Sequence, residues 1–192
     1  KGPRMSGQAF WFLSRATGVV SVVLLTVVVC LGMVTAGRRR PHGESATVVM
    51  GVHRWLSLGM LVFLAVHIVT AIVDGYVPIG WLAVVLPFSS PYQTLLVGLG
   101  TVAVDLLVVL MVTSYLRHRI PERRWRIIHW TSYAMWLAAL AHGFAMGTSD
   151  QPGLRLTTIA CGTVGGLFVA WRLVASHADR ERRQEINAQE WT

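Results

Sequence analysis

The sequence predicts an all-α integral membrane protein built as a bundle of five spanning helices. Its 192 residues are 54% hydrophobic and only 14% charged, a composition typical of membrane proteins. A spanning helix needs about 20 mostly apolar residues. Five segments reach that length, at residues 10–36, 48–73, 93–116, 125–147 and 156–175. The second and fourth of them each carry a pair of histidines, which makes these two helices the candidates for function.

Each segment has recognisable flanks. Helix 1 begins with RATG at residues 15–18 and continues as a Val/Leu-rich run. Helix 2 is followed by an apolar loop, Val77–Pro91, which three prolines interrupt and which is too short to span. We expect this loop to lie along the outer interface, with Trp81 and Phe88 as anchors. Pro121 suits the first turn of helix 4.

No polar stretch between these segments is long enough to form a soluble domain. Residues 1–176 are therefore predicted to be one transmembrane domain, and residues 177–192 a charged cytoplasmic tail. The chain contains no glycine-rich dinucleotide fingerprint. We therefore expect an oxidoreductase component that lacks its own nicotinamide or flavin domain.

The net charge of +8 comes mainly from arginines that flank the apolar segments, so it does not indicate a nucleic-acid partner. These arginines are Arg38, Arg39, Arg40, Arg117, Arg119, Arg123, Arg124, Arg126, Arg172, Arg180, Arg182 and Arg183. The positive-inside rule places them, and with them the C-terminus, in the cytoplasm. The expected location is a bacterial cytoplasmic membrane, with lipid around the bundle.

The histidines of helices 2 and 4 are the strongest functional signal. His53 and His67 are separated by 13 residues, and His129 and His142 by 12. Ionisable side chains are costly in hydrocarbon, so four imidazoles at membrane depth call for a compensating partner. Haem iron is such a partner, because it accepts neutral imidazole nitrogen as an axial ligand.

The predicted topology matches the histidines in depth. Helices 2 and 4 run in the same direction, which pairs His53 with His129 near the cytoplasm and His67 with His142 near the outer face. Each pair could ligate one haem b from both sides, giving two haems between helices 2 and 4. Without a CxxCH motif neither haem is expected to be covalently attached.

The spacing on helix 4 is harder to reconcile with an ideal helix. Fourteen steps, as from His53 to His67, return a side chain to within about 40° of the same face, whereas thirteen leave it about 140° away. Helix 4 should therefore be bent or locally over- or underwound, or the two haems should approach it from different sides.

Charged residues near the pairs are further candidates. Arg54, Arg124 and Arg126 at the cytoplasmic level, and Arg15 at the outer level, could bind haem propionates, although the first three also fit positive-inside topology. Asp105, near the middle of helix 3, is either a proton or quinone site or the partner of a Ser, Thr or Tyr hydroxyl in an internal hydrogen bond; we favour the internal hydrogen bond.

At these residues the chain resembles the ferric reductase-like transmembrane domain family. That family includes NADPH oxidases, ferric reductases and the membrane haem subunit of the periplasmic methionine sulfoxide reductase system. Both histidine spacings match its pattern, as do RATG, the arginine-rich turn before helix 4 and the RW(x)3H run at Arg124–His129. The resemblance covers residues 12–175 and implies two stacked b haems. The family core has six helices, one more than predicted here.

The predicted function is a transmembrane cytochrome b. It would pass electrons from a cytoplasmic-side flavoprotein or menaquinol to an extracytoplasmic acceptor, either a protein or a small molecule. Two alternatives stay open at this stage: a quinone-reactive cytochrome b subunit of a larger complex, in which Asp105 exchanges protons, and a haem-free anchor or assembly subunit, whose histidines only join helices.

Overall fold

The structure is a computed structural model that describes residues 5–35, 43–74, 77–147 and 151–190, with side chains for residues 9–35, 43–74, 77–147 and 151–175. Throughout these ranges the regular structure is helical, as predicted. Six α-helices follow one another: α1 Met5–Thr35, α2 Glu44–Val73, α3 Thr94–Tyr115, α4 Glu122–His129, α5 Thr131–Met146 and α6 Pro152–Glu190. The arginines at residues 38–40 lie outside the described residues.

Four of these helices are long and apolar enough to cross a membrane, rather than the five predicted. They are the helices over Ala9–Thr35, Glu44–Val73, Thr94–Tyr115 and Pro152–Ala175. The predicted span at residues 125–147 is instead divided into α4 and α5, and α5 has 16 residues. The prediction of five uninterrupted spans was therefore wrong at this segment.

The division falls at Trp130, between the two histidines of the segment. The Trp130 amide donates to the carbonyls of both Arg126 and Ile127, and the Tyr133 amide donates to Trp130 only three residues back. This tight turn overwinds the chain locally between His129 and His142, which is one of the predicted departures from an ideal helix. It changes the rotation that an ideal helix would impose on a 13-residue offset.

The helices pack as two hairpin-like pairs with α6 alongside. α1 contacts α2, α3 contacts α5, and α1 also packs on α5 and α6. A cluster of buried apolar side chains joins these helices, and Trp136 within it donates to the buried hydroxyl of Thr26. The buried members of the cluster are Leu25, Val29, Met33, Met60, Ala103, Leu107, Leu110, Met135 and Trp136.

The apolar loop after α2 folds against α3 at one end of the bundle, which we call the loop end. Its 3-10 turn, Trp81–Val84, buries Ala83, and the Thr101 hydroxyl donates to the Ala83 carbonyl 2.5 Å away. The Phe88 ring lies directly over Gly98, where an added Cβ would overlap it. The loop is thus a packed cover at this end, while Trp81 remains 67% exposed.

The opposite end, which we call the arginine end, carries the 3-10 turn Arg117–Arg119 and the start of α4. Here Arg172 of α6 donates to the Met33 carbonyl of α1 across 2.8 Å. The helix α6 continues without interruption through residue 176 to Glu190. The expected boundary between the transmembrane domain and the tail is therefore not a break in secondary structure.

Gly165 packs tightly against the Trp136 ring of the core, so the bundle should be destabilised by a larger residue at this position. A Cβ at Gly165 would lie 2.2 Å from Trp136 Cζ2, whereas one at the adjacent Gly166 would meet nothing within 4 Å. The Trp136 indole cannot move freely because its Nε1 donates to Thr26 Oγ1 at 3.1 Å. Gly165→Ala should destabilise the bundle by about 1–3 kcal/mol, read as a lower unfolding temperature in detergent. Gly166→Ala is the matched control, and equal stability of the two variants would contradict this packing.

Candidate histidine-pair sites

His67 and His142 meet at the loop end. Their ring centroids are 6.4 Å apart and their ring planes cross at 79°. A metal–nitrogen bond of about 2 Å plus about 1.1 Å from nitrogen to ring centre, taken on both sides, gives nearly the same separation. The two imidazoles are thus spaced as two axial ligands of one metal ion would be.

A backbone carbonyl fixes each of these rings. Nδ1 of His67 lies 2.7 Å from the Ser14 carbonyl of α1, and Nδ1 of His142 lies 2.7 Å from the Leu96 carbonyl of α3. Because a carbonyl can only accept, Nδ1 must carry the proton. The Nε2 lone pair is then free to bind a metal, which is the usual arrangement around ligating histidines.

His53 and His129 form the corresponding pair at the arginine end. They lie close enough to interact electrostatically, and Nδ1 of His53 donates to the Val28 carbonyl of α1 at 3.1 Å. The carbonyls of Ser14 and Val28 are separated along α1 as His67 and His53 are along α2, in the opposite order. One antiparallel helix pair therefore orients a histidine at each level.

His129 is held differently. Its Nδ1 is buried without a hydrogen-bond partner, and so is Nε1 of Trp125. The Trp125 ring stacks on His129 at 4.7 Å between centroids and 23° between planes, and the Arg117 guanidinium lies over the same indole, 4.4 Å from a ring centroid. Ring stacking thus takes the place of the carbonyl that the other three histidines have.

The arginines predicted as propionate partners are placed less specifically. Arg54 and Arg124 are exposed near the arginine end, and Arg126 forms an ion pair with Glu122 one turn earlier on α4. Arg15 follows Ser14 at the loop end and packs over the Trp11 ring at 4.2 Å. All four lie at the predicted levels.

The structure does not support the internal hydrogen bond favoured for Asp105. This residue is half-buried on α3, and no hydrogen bond of its carboxyl group is found within the described part of the chain. Cys30 and Cys161 are both free and buried, as expected of small apolar packing residues.

The donor set at both levels fits haem. No group of three or more His, Cys, Asp or Glu side chains converges among the described residues, and a haem needs only two axial imidazoles from the protein. At the arginine end the two buried nitrogens without partners, on Trp125 and His129, would suit an acceptor such as a haem carboxylate. Two neutral imidazoles are a common axial pair for haem iron.

The protein is thus an apolar helical bundle with histidines placed at two levels, an arrangement suited to binding redox cofactors in a membrane. The sequence profile of the ferric reductase-like transmembrane component family matches residues 17–140, more than half of the chain. The chain therefore belongs to that family. The matched range includes His53, His67 and His129 and ends just before His142. Comparisons with curated proteins and with solved structures found no match.

Several residues at these sites were missed by the sequence analysis. The carbonyls of Ser14, Val28 and Leu96 carry no sequence signature of their own, and Trp125 resembled an ordinary interfacial tryptophan. One signal was available for α1. Gly18 and Gly32, each four residues after an accepting carbonyl, repeat the 14-residue step of His53 and His67.

The stack on His129 predicts a selective effect of Trp125. In Trp125→Leu the imidazole loses the ring that orients it, so haem should bind about tenfold or more weakly at the His53/His129 site and normally at the other. Haem content and reduced-minus-oxidised spectra measure this. Trp125→Phe should retain most binding, because the stacking ring remains.

Trp55→Leu is the matched control, since Trp55 is also a tryptophan near the arginine end but is 75% exposed. Normal haem content in Trp125→Leu, or equal loss in Trp55→Leu, would show that the stack does not orient His129.

Proposed function

We propose that this protein is a transmembrane electron-transfer cytochrome b. His67 with His142, and His53 with His129, would each hold one haem b. Electrons would pass from a donor at the arginine end, taken to be cytoplasmic, to an acceptor at the loop end. Membership of the ferric reductase-like transmembrane family supports the coarse role.

The separation of His67 and His142 carries the proposal. Two imidazoles lie 6.4 Å apart, each with Nδ1 bonded to a carbonyl, and no Nε2 hydrogen bond is found among the described residues. The Nδ1 bonds join α2 to α1 and α5 to α3, as the haem-free alternative also expects. The spacing of the two rings, which is that of two axial ligands, is what favours a shared metal ion.

The two levels suit transfer across the membrane. Fourteen residues along α2 correspond to about 20 Å, most of the hydrocarbon thickness of about 30 Å. Haem would supply reversible one-electron chemistry at each level. The chain's part is to fix both imidazoles, to exclude water with the packed loop and core, and to set the distance between the levels.

Electron balance requires two partners. A flavoprotein or a quinol would be oxidised at the arginine end, and each electron that it loses would reduce an extracytoplasmic acceptor at the loop end. A quinol would also release its protons at its own site. The many arginines at the donor end would favour an anionic or acidic donor surface, since such charge steers association.

The purified protein should contain two non-covalently bound b-type haems per chain. A pyridine haemochrome assay on protein produced with ample haem counts them, and dithionite should give the α-band of a six-coordinate b-type cytochrome. One haem or none per chain would contradict the proposal, and absence of any haem would favour the anchor alternative.

The pairing is tested by substituting one member of each pair. His67→Ala and His142→Ala should remove the same haem and leave the same remaining spectrum and potential, whereas His53→Ala and His129→Ala should remove the other. His118→Ala is a control outside both pairs, because His118 is exposed in the Arg117–Arg119 turn. If His67→Ala matched His129→Ala, the pairing would be wrong.

A further inference from the structure

Three of the four candidate ligands dock on a neighbouring helix in the same way. In each, Nδ1 of the histidine bonds to a helix carbonyl. A glycine lies four positions after the residue that supplies this carbonyl, so its amide points at the same oxygen. The three combinations of histidine, carbonyl and glycine are His67 with Ser14 and Gly18, His53 with Val28 and Gly32, and His142 with Leu96 and Gly100.

The glycines differ in how closely the imidazole approaches them. An added Cβ at Gly18 would lie 2.9 Å from Nδ1 of His67, and one at Gly100 would lie 2.9 Å from Nδ1 of His142. These distances are shorter than carbon–nitrogen contacts allow. At Gly32 the nearest atom, Cε1 of His53, would be 3.7 Å away, which is ordinary van der Waals contact.

We propose that Gly18 and Gly100 are positioning residues of the His67/His142 site: lacking a Cβ, they let each imidazole reach a helix carbonyl and aim Nε2 at the shared position. Only the identity of the bound group, haem, rests on the proposed function. The placement of the two rings is independent of it.

Glycine at these positions is otherwise unfavourable. It is a poorer helix former than alanine, and both residues lie inside helices, α1 and α3. An alanine would therefore be expected to favour the helix unless the imidazole occupies its space. If alanine at these positions destabilises the protein instead, the glycines are needed to make room for the imidazoles and not merely as part of the helices.

The fourth histidine, His129, has no such carbonyl partner among the described residues. The loop-end site therefore has two glycine-flanked carbonyls, each 2.7 Å from its imidazole, and the arginine-end site has only the looser one at His53.

The test compares Gly18→Ala and Gly100→Ala with two controls. Gly32→Ala has the same register but has room for a Cβ, and Gly166→Ala faces open space. The readouts are 15N NMR of histidine-labelled reduced protein, which reports the tautomer, the haem content, and the reduction potentials of the two haems.

In Gly18→Ala and Gly100→Ala, we expect one histidine to lose its Nδ1–H···O=C signature. The haem at the His67/His142 site should then be lost or its potential should rise, because a weaker bond to Nδ1 makes the imidazole a poorer donor to oxidised iron. The other haem and both controls should be unchanged. Unchanged tautomer and potential in both variants, or equal changes in the controls, would overturn the proposal.

A double-mutant cycle covers a variant that folds poorly. If the alanine methyl group clashes with the imidazole, Gly18→Ala should lower the unfolding temperature in the parent chain but not in the His67→Ala background. An equal loss in both backgrounds would overturn the proposal. A parent protein without haem would refute the proposed function, whereas the tautomer and the cycle would still decide the role of the glycines.

Discussion

The structure depends on one constraint: each imidazole inside an apolar bundle has two ring nitrogens that need partners. If Nδ1 donates to the protein, Nε2 is left to bind a ligand. The helix carbonyls of Ser14, Val28 and Leu96 meet this constraint by accepting from Nδ1. Because these carbonyls belong to α1 and α3, the histidines of α2 and α5 are oriented by helices that carry no ligand. Helices α1, α2, α3 and α5 thus cooperate in orienting three of the four histidines, and α4 carries the fourth, His129.

The same constraint explains the unequal ends of the molecule. At the loop end both imidazoles have short bonds to carbonyls, and the loop over residues 77–93 packs against the helix that supplies one of them. At the arginine end His129 depends on Trp125 and Arg117 instead. The two ends therefore orient their histidines by different contacts, carbonyls alone at the loop end and an aromatic ring for His129 at the arginine end.

Hydrophobicity predicted the helical class and the approximate ends of most spans. The 13-residue offset of His129 and His142 predicted that the fourth segment departs from an ideal helix between them. The division at Trp130 into two shorter helices could not be predicted, because it depends on shared amide–carbonyl bonds rather than on composition. The partner carbonyls were equally hidden, since every helical residue has one. The glycines were visible in the sequence, but only the position of the imidazole shows which of them are needed.

The central claim is that His67 and His142 are axial ligands of one ion with their ring planes crossed at 79°. Electron paramagnetic resonance of the oxidised protein tests this most directly, because nearly perpendicular imidazole planes give a low-spin ferric haem a highly anisotropic signal dominated by one low-field feature. We expect that feature in the parent protein and its loss in His142→Ala. A high-spin signal, or only the rhombic three-line signal of parallel imidazoles, would contradict it.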